Sequence, residues 1–228
     1  DAESALVRLS PLIHAADPEA ERVAETVCRA RLGRELAAVY IMRAKQSTDP
    51  ELTRVSWRKI AAIHELWLDE PAEAFEATLR LLATDTDDLT ILDEVDRLGK
   101  KTLAFPRLQS VYAKLVREAP EDSERVALLL RLASILENDA RNPSAALEQL
   151  IDASKLDPED GSLLLHVERL ASELGSHSEL LWAEEQKVEN AQGPAAAIHA
   201  LLDVARTADL RLRDREHANA ALRSALPL

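Results

Sequence analysis

Two stretches, Ala61-Ala62-Ile63-His64-Glu65 and Ala133-Ser134-Ile135-Leu136-Glu137, superpose when the chain is slid so that Ala61 falls on Ala133. The same shift puts Pro71 on Pro143, Ala74-Phe75-Glu76 on Ala146-Leu147-Glu148, and the acidic run Asp85 to Asp88 on Asp157 to Asp160. It carries Leu36 and Tyr40 onto Leu108 and Tyr112, then onto Leu180 and Glu184, and Val95 and Leu98 onto Val167 and Leu170. Self-similarity at a fixed period is the mark of stacked supersecondary units. The repeated block divides into a 38-residue and a 34-residue unit, which places units near 17–50, 51–88, 89–122, 123–160, 161–194 and 195–228.

Within a unit the apolar spacing is helical. Val126, Leu129, Leu130, Ala133, Leu136 and Ala140 recur at three and four residues, the stripe of one helix face. This is the first, or A, helix of its unit. Pro143 suits the first turn of the next helix, where a missing N–H leaves no bond unmade, and Ala146, Leu147, Leu150, Ala153 and Ser154 continue the stripe on this B helix. Asp157-Pro158 ends it, because the residue before proline is pushed out of the helical region. Pro120, Asp49-Pro50 and Asp17-Pro18 mark the other joints. The small residues Ala74, Ala146 and Ala218 recur at one point of helix B, where the A and B helices are expected to cross closely.

The 34-residue units carry large apolar residues at their fourth and seventh positions, Tyr112 at the twenty-fourth and Pro120 at the thirty-second, and the 38-residue relative ends in Asp157-Pro158-Glu159-Asp160. In these features nearly the whole chain resembles the tetratricopeptide repeat family. It departs from the family pattern at the eighth position, usually small, where Asp96, Leu130 or Glu168 stands, and in the four extra residues of alternate units. The resemblance implies an all-α fold, a right-handed superhelix of antiparallel helix pairs with alternating 34- and 38-residue units. In it the A helices line a concave groove that holds peptides or other proteins. The reading is a single solenoid over 1–228, with about five complete pairs behind a leading helix at residues 1 to 12. No single unit can bury its apolar face alone, so stability is shared between neighbours.

Composition narrows the class further. Asp and Glu number 41 against 28 Lys and Arg, a formal charge of −13, which argues against phosphate-backbone contact and hence against a nucleic-acid partner. No apolar run approaches the ~20 residues of a membrane-spanning helix. Cys28 is the single cysteine, too few for an internal disulfide or a multi-cysteine metal site, so the chain needs no oxidising compartment and the expectation is the cytoplasm. The chain starts at Asp1 and ends in Ala225-Leu226-Pro227-Leu228, and reads as a fragment of something longer. On that reading Leu6 and Leu9 at one end, and Leu222, Leu226 and Leu228 at the other, have lost the units that covered them, and end-to-end self-association follows.

Catalytic patterns are incomplete. His64-Glu65-Leu66-Trp67-Leu68 begins like a zinc-protease helix but has Leu68 where the second histidine is needed. Asp85-Thr86-Asp87-Asp88 lacks the glycine of a calcium loop, Thr90 standing there, and the closing glutamate, where Asp96 stands; helix capping accounts for these acids. Ser56-Trp57-Arg58-Lys59 has the spacing of a serine nucleophile and lysine base without the partner motifs. Gly33, Gly99, Gly161, Gly175 and Gly193 lie too far apart for a phosphate loop. The chain is therefore read as no enzyme, with no cofactor and no metal.

What recurs is positive charge. The ninth position of the units, concave in the family it resembles, holds Glu25, Lys59, Arg97, Arg131, Arg169 and Asp203. Four successive cations, with Lys100 and Lys101 a turn further along, suit an acidic peptide or terminal carboxylate, which arginine grips through two parallel hydrogen bonds. The simpler use is pairing within the chain, as Asp93 with Arg97 at i, i+4. Trp67, in the extra turn of a long A helix and aligned with Asp139, is a further contact candidate. The functional expectation is a non-catalytic scaffold holding a partner protein or peptide along the groove. The alternative is a regulatory or substrate-recognition domain joined to an enzyme or transcription regulator elsewhere in a longer chain.

Overall fold

The computed structural model describes residues 2–29, 31–86 and 88–227. Asp87 of the acidic run and Leu228 of the terminal leucines lie outside the described residues. The fold is all-α, with no strand among the described residues. The helices are α1 (Ala2–His14), α2 (Pro18–Cys28), α3 (Gly33–Gln46), α4 (Pro50–Ala62), α5 (Pro71–Leu82), α6 (Leu89–Lys101) and α7 (Phe105–Glu118). They continue with α8 (Asp122–Asn138), α9 (Pro143–Leu156), α10 (Gly161–Leu174), α11 (His177–Glu189), α12 (Pro194–Thr207) and α13 (Arg215–Ala225). Among the described residues six pairs follow α1, one more than the five expected, because α13 completes the last of them.

Two compact units are present, Asp1–Leu108 and Gln109–Leu228. In the first, α1 packs on α2 and α3, α3 on α4, α4 on α5 and α5 on α6. In the second, each helix from α8 to α13 packs on the next. Packing therefore follows chain order, as it must when each helix pair covers only its neighbours.

Local chemistry sets the helix starts. Pro18, Pro50, Pro71, Pro143 and Pro194 each stand first in a helix. The side chains of Asp17, Asp49, Asp88, Asn142, Asp160 and Asp214 accept hydrogen bonds from backbone N–H groups of the turn that follows. Asp88 takes both the Thr90 N–H at 2.9 Å and its hydroxyl at 2.6 Å and is the cap of α6, whereas Asp85 pairs with Arg54 at 2.8 Å.

The ends of the A helices repeat with the sequence. Asp69, Arg141 and Arg213, equivalent under the repeat shift, have left-handed φ of 53°, 51° and 58°. The residue after each returns its N–H to a carbonyl in the last turn of the helix: Glu70 to His64, Asn142 to Leu136 and Asp214 to Ala208, all at 2.8 Å. After α6 and α10 the return is one residue shorter, Ala104 to Gly99 and Ser176 to Ala171, behind Leu103 and Gly175 with φ of 55° and 69°. The shorter return is the ordinary Schellman closure. Where the wider return follows α4 and α12, the helix first passes through a π-turn, Ile63–Trp67 and Ala208–Leu212. The extra turn of the longer A helices ends in this wider closure.

The apolar stripes face inward. Leu36, Tyr40, Leu108, Leu150, Ala74 and Ala146 are sealed from solvent, with Trp57 and Cys28 also buried. Burial first, then the nearby Glu35 charge, pushes the Cys28 thiol up from its ordinary value, as suits an apolar filler. Gly99 in α6 lies against Leu108, and a Cβ built there would meet the Leu108 side chain at 2.7 Å. One expectation is overturned at α1. Leu6 is buried and Leu9 half-buried, while Val7 and Leu12 are the large apolar residues left open. Packing of α1 against both α2 and α3 draws in the face that holds Leu6. At the other end Leu222 and Leu226 are exposed, and Leu222 joins Leu202 and Leu210 around an open cavity of about 480 Å³ between α12 and α13.

Candidate functional site

Each ninth-position cation sits on an A helix: Lys59 on α4, Arg97 on α6, Arg131 on α8 and Arg169 on α10. Helical periodicity puts Arg97 and Arg169 on the side of the helix opposite its sealed stripe. The carboxylates that meet them come from the A helix before and from their own helix. Arg97 Nη2 lies 2.5 Å from Glu65 Oε2 at the end of α4, and also meets Glu94 one turn back on α6. Lys101 Nζ reaches the other oxygen of Glu65 at 3.3 Å. In the second unit Arg169 Nη2 lies 2.6 Å from Glu137 Oε1 on α8, with Glu173 a turn along at 3.1 Å. His166 completes the set, its Nε2 3.1 Å from Glu137 Oε2.

The electrostatics follow from the pairing. The Arg97 guanidinium holds the Glu65 carboxyl below its ordinary value against the opposing effect of burial. At Glu137 burial is the larger single influence, but Arg169 and His166 together outweigh it and the pKa is again lowered. Pairing within the chain thus extends beyond the i, i+4 form foreseen from sequence, for Arg97 meets Glu94 at i−3 and Glu65 on a different helix. Lys100 and Arg131 are half-buried on α6 and α8. Trp67 is half-buried at the end of the α4 π-turn, with the Arg29 guanidinium 5.3 Å from its ring centre.

Lys59 belongs to a buried network. Its Nζ lies 2.6 Å from Glu21 Oε2 and 2.5 Å from Glu25 Oε1, both on α2, and 5.4 Å from the centre of the Tyr40 ring. Glu21 also pairs with Arg43 on α3, whose Nε donates to Ser56 Oγ at 2.8 Å and whose Nη1 donates to the Ile13 carbonyl at 3.0 Å. Burial opposes the charge on Lys59, yet the two glutamates overcome it and raise its pKa. The Ser56 hydroxyl donates to the Leu52 carbonyl and accepts from Arg43, so Ser56 and Lys59 serve separate partners and make no nucleophile–base pair.

Arg43 was not among the sequence candidates. It stands three residues after Tyr40 on the sealed face of α3, and a cation at that phase of an apolar stripe is the signal that could have marked it. Glu184 was also passed over as a site. It occupies the place that Tyr40 and Tyr112 hold in the earlier copies, and is buried on α11 with one oxygen accepting from Thr207 at 2.9 Å. No group of three or more His, Cys, Asp or Glu among the described residues is disposed to hold a metal ion. No described helix is long and apolar enough to cross a membrane.

No family model and no curated protein matches the chain. Among solved structures it is similar to BtubC from P. vanneervenii, with 15% identity over 99% of this chain and 85% of that one and a TM-score of 0.32. It is also similar to the MamA protein, with 13% identity over 77% and 91% and a TM-score of 0.33. A third is pilF of Pseudomonas aeruginosa, with 18% identity over 87% and 92% and a TM-score of 0.32. The repeat register, the sequential packing and the matching helix closures of this chain itself make it a helical-repeat array consistent with a tetratricopeptide-like family.

Proposed function

We propose that the chain is a non-catalytic scaffold that takes a protein or peptide segment along the side presented by its A helices. The observation that carries this reading is the recurrence of the Glu65–Arg97 pair as Glu137–Arg169, in which each guanidinium is half-exposed over a largely covered glutamate. Such a strip offers guanidinium and carboxylate groups held in place before a partner arrives, which lowers the ordering cost of binding. Arg97, Arg131 and Arg169, with Lys59, Lys100 and Lys101, are the contact residues of this reading, and Trp67 is its apolar contact. An acidic segment would exchange with Glu65 or Glu137 for the arginines. The cytoplasm is the compartment of this reading.

The test uses the chain as bait, with identification of the retained protein and a binding isotherm against it in purified form. Affinity should fall with added salt. Arg97→Ala combined with Arg131→Ala should lower it without altering helicity or melting. Normal binding by the double variant would remove the cation row from the reading.

A further inference from the structure

The second unit contains a small cavity of about 290 Å³ between α11 and the π-turn that ends α12. Leu180 and Glu184 of α11, Asp203, Arg206 and Thr207 at the end of α12, and Leu210 and Arg211 of the π-turn line it. Glu184 is 8% exposed, and while its Oε1 accepts from Thr207, its Oε2 is buried with no hydrogen-bond partner. A buried carboxylate oxygen without a donor is costly, and such atoms in native structures call for an unseen partner.

In the first unit the neighbourhood of the equivalent tyrosine, Tyr40, holds an ammonium group. There Lys59 puts its ammonium between two carboxylate oxygens beneath the Tyr40 ring. Two successive repeat shifts carry Tyr40 onto Glu184, Lys59 onto Asp203, Glu21 onto Leu165 and Glu25 onto Arg169, so in the second unit the carboxylates stand at the tyrosine and lysine positions and the ammonium is gone. Of the cations nearby, Lys187 is held by both oxygens of Glu168 at 2.8 and 3.0 Å, Arg206, largely exposed, turns to Asp203 at 3.3 Å, and Arg211, exposed, lines the cavity. The walls supplied by Leu180 and Leu210 suit a methylene stem. We propose that this cavity binds a primary alkylammonium group, its N–H donors meeting Asp203 and the Glu184 carboxylate, which turns its unpartnered oxygen to the ligand, and its alkyl stem lying against Leu180 and Leu210. The source is either a lysine side chain of a partner or a free small amine. The proposal stands apart from the cation row on the A helices and does not need it.

Burial, with Asp203 and Glu168 adding to it, raises the Glu184 pKa against the opposing Thr207 hydroxyl and Lys187 charge. Bound ammonium reverses that balance, so binding releases a proton and tightens as pH rises through the range in which Glu184 ionises. Arg206 and Arg211 are the other charged side chains that line the cavity.

The full chain, labelled with ¹⁵N, is titrated with n-butylammonium chloride and separately with a short peptide bearing one lysine, each against sodium chloride at matched ionic strength. Saturable shifts at the Leu180, Thr207 and Leu210 amides are expected. Glu184→Gln should weaken binding at least tenfold, and Glu184→Tyr, which restores the residue of the earlier copies, should abolish it. Glu148→Gln, at an exposed position of α9, should leave it unchanged. Tighter binding of the peptide identifies a lysine side chain, and tighter binding of butylammonium identifies a free amine. Shifts that do not saturate, or that persist equally in Glu184→Gln, overturn the proposal. Should Glu184→Gln lose helicity, Asp203→Asn, at a partly exposed position, takes its place, with undiminished binding again overturning the site.

Discussion

Glu65 stands to Arg97 as Glu137 stands to Arg169: in each unit a glutamate near the end of a long A helix reaches the ninth-position arginine of the next A helix, at 2.5 and 2.6 Å. The two pairs have the same separation along the chain and are related by the repeat shift. The guanidinium side chains are 47% and 44% exposed, so solvent and salt screen both pairs.

These pairs should contribute little to stability. A double-mutant cycle with Glu65→Gln and Arg97→Gln, read from urea midpoints, should return a coupling of about 0.2–1 kcal/mol. A coupling several times larger would mean that the row is a structural strut.

The buried network should behave otherwise. Arg43→Met removes the guanidinium from Glu21, Ser56 and the Ile13 carbonyl in a site sealed from water. The cost should be roughly 3 kcal/mol, the lower end for a broken buried pair because Lys59 still holds Glu21. Equilibrium unfolding compared with the exposed control Arg223→Met measures it.

Close helix approach should fail when atoms are added. Ala146→Leu should destabilise by about 1–3 kcal/mol through overpacking on the sealed face of α9, while exposed Glu148→Ala stays within about 0.5 kcal/mol. Gly99→Ala should also destabilise, since Leu108 is fully buried and has no room to yield to the new Cβ, and this outweighs the gain of up to about 1 kcal/mol in helix propensity. Equal midpoints for Ala146→Leu and Glu148→Ala would place the crossing elsewhere.

Two classes of glutamate should pull stability in opposite directions with pH. Glu65 and Glu137 have lowered folded-state pKa values, so their contribution is present above the ordinary 4.5 and is lost as pH falls below it. Glu184 has a raised value, so its contribution is present below 4.5 and is lost as pH rises through its folded-state pKa. The stability of Glu184→Gln relative to the parent chain should therefore increase from pH 4 to neutrality. Urea midpoints at several pH values test this, and a flat difference would show that Glu184 is better solvated than its burial implies.

The exposed leucines of the last pair should promote association. Sedimentation at increasing concentration should show self-association that Leu222→Glu combined with Leu226→Glu reduces. A strict monomer at high concentration would show that this end needs no cover.

Much of the fold was legible because helix starts and stops are local. Asp17-Pro18 and Asp49-Pro50 carry their own instructions, a carboxylate for free N–H groups and a ring already set to helical φ, and they act as caps and first residues here. The repeat register told which residues are equivalent, since equivalence needs no coordinates. The partners of those residues were a different matter. Arg97 has carboxylates at three and four residues on its own helix, yet it also reaches Glu65 across the gap between helices, and only the packing of α4, α5 and α6 sets that distance. Whether Leu6 or Val7 faces inward depended on which helices α1 rests against, because an apolar run on both sides of a helix has no single phase. The chemistry at Arg43 and Glu184 was hidden for the same reason: sequence names a charge on a helix face, but its burial, its partners and an oxygen left without one arise only when distant helices close over it.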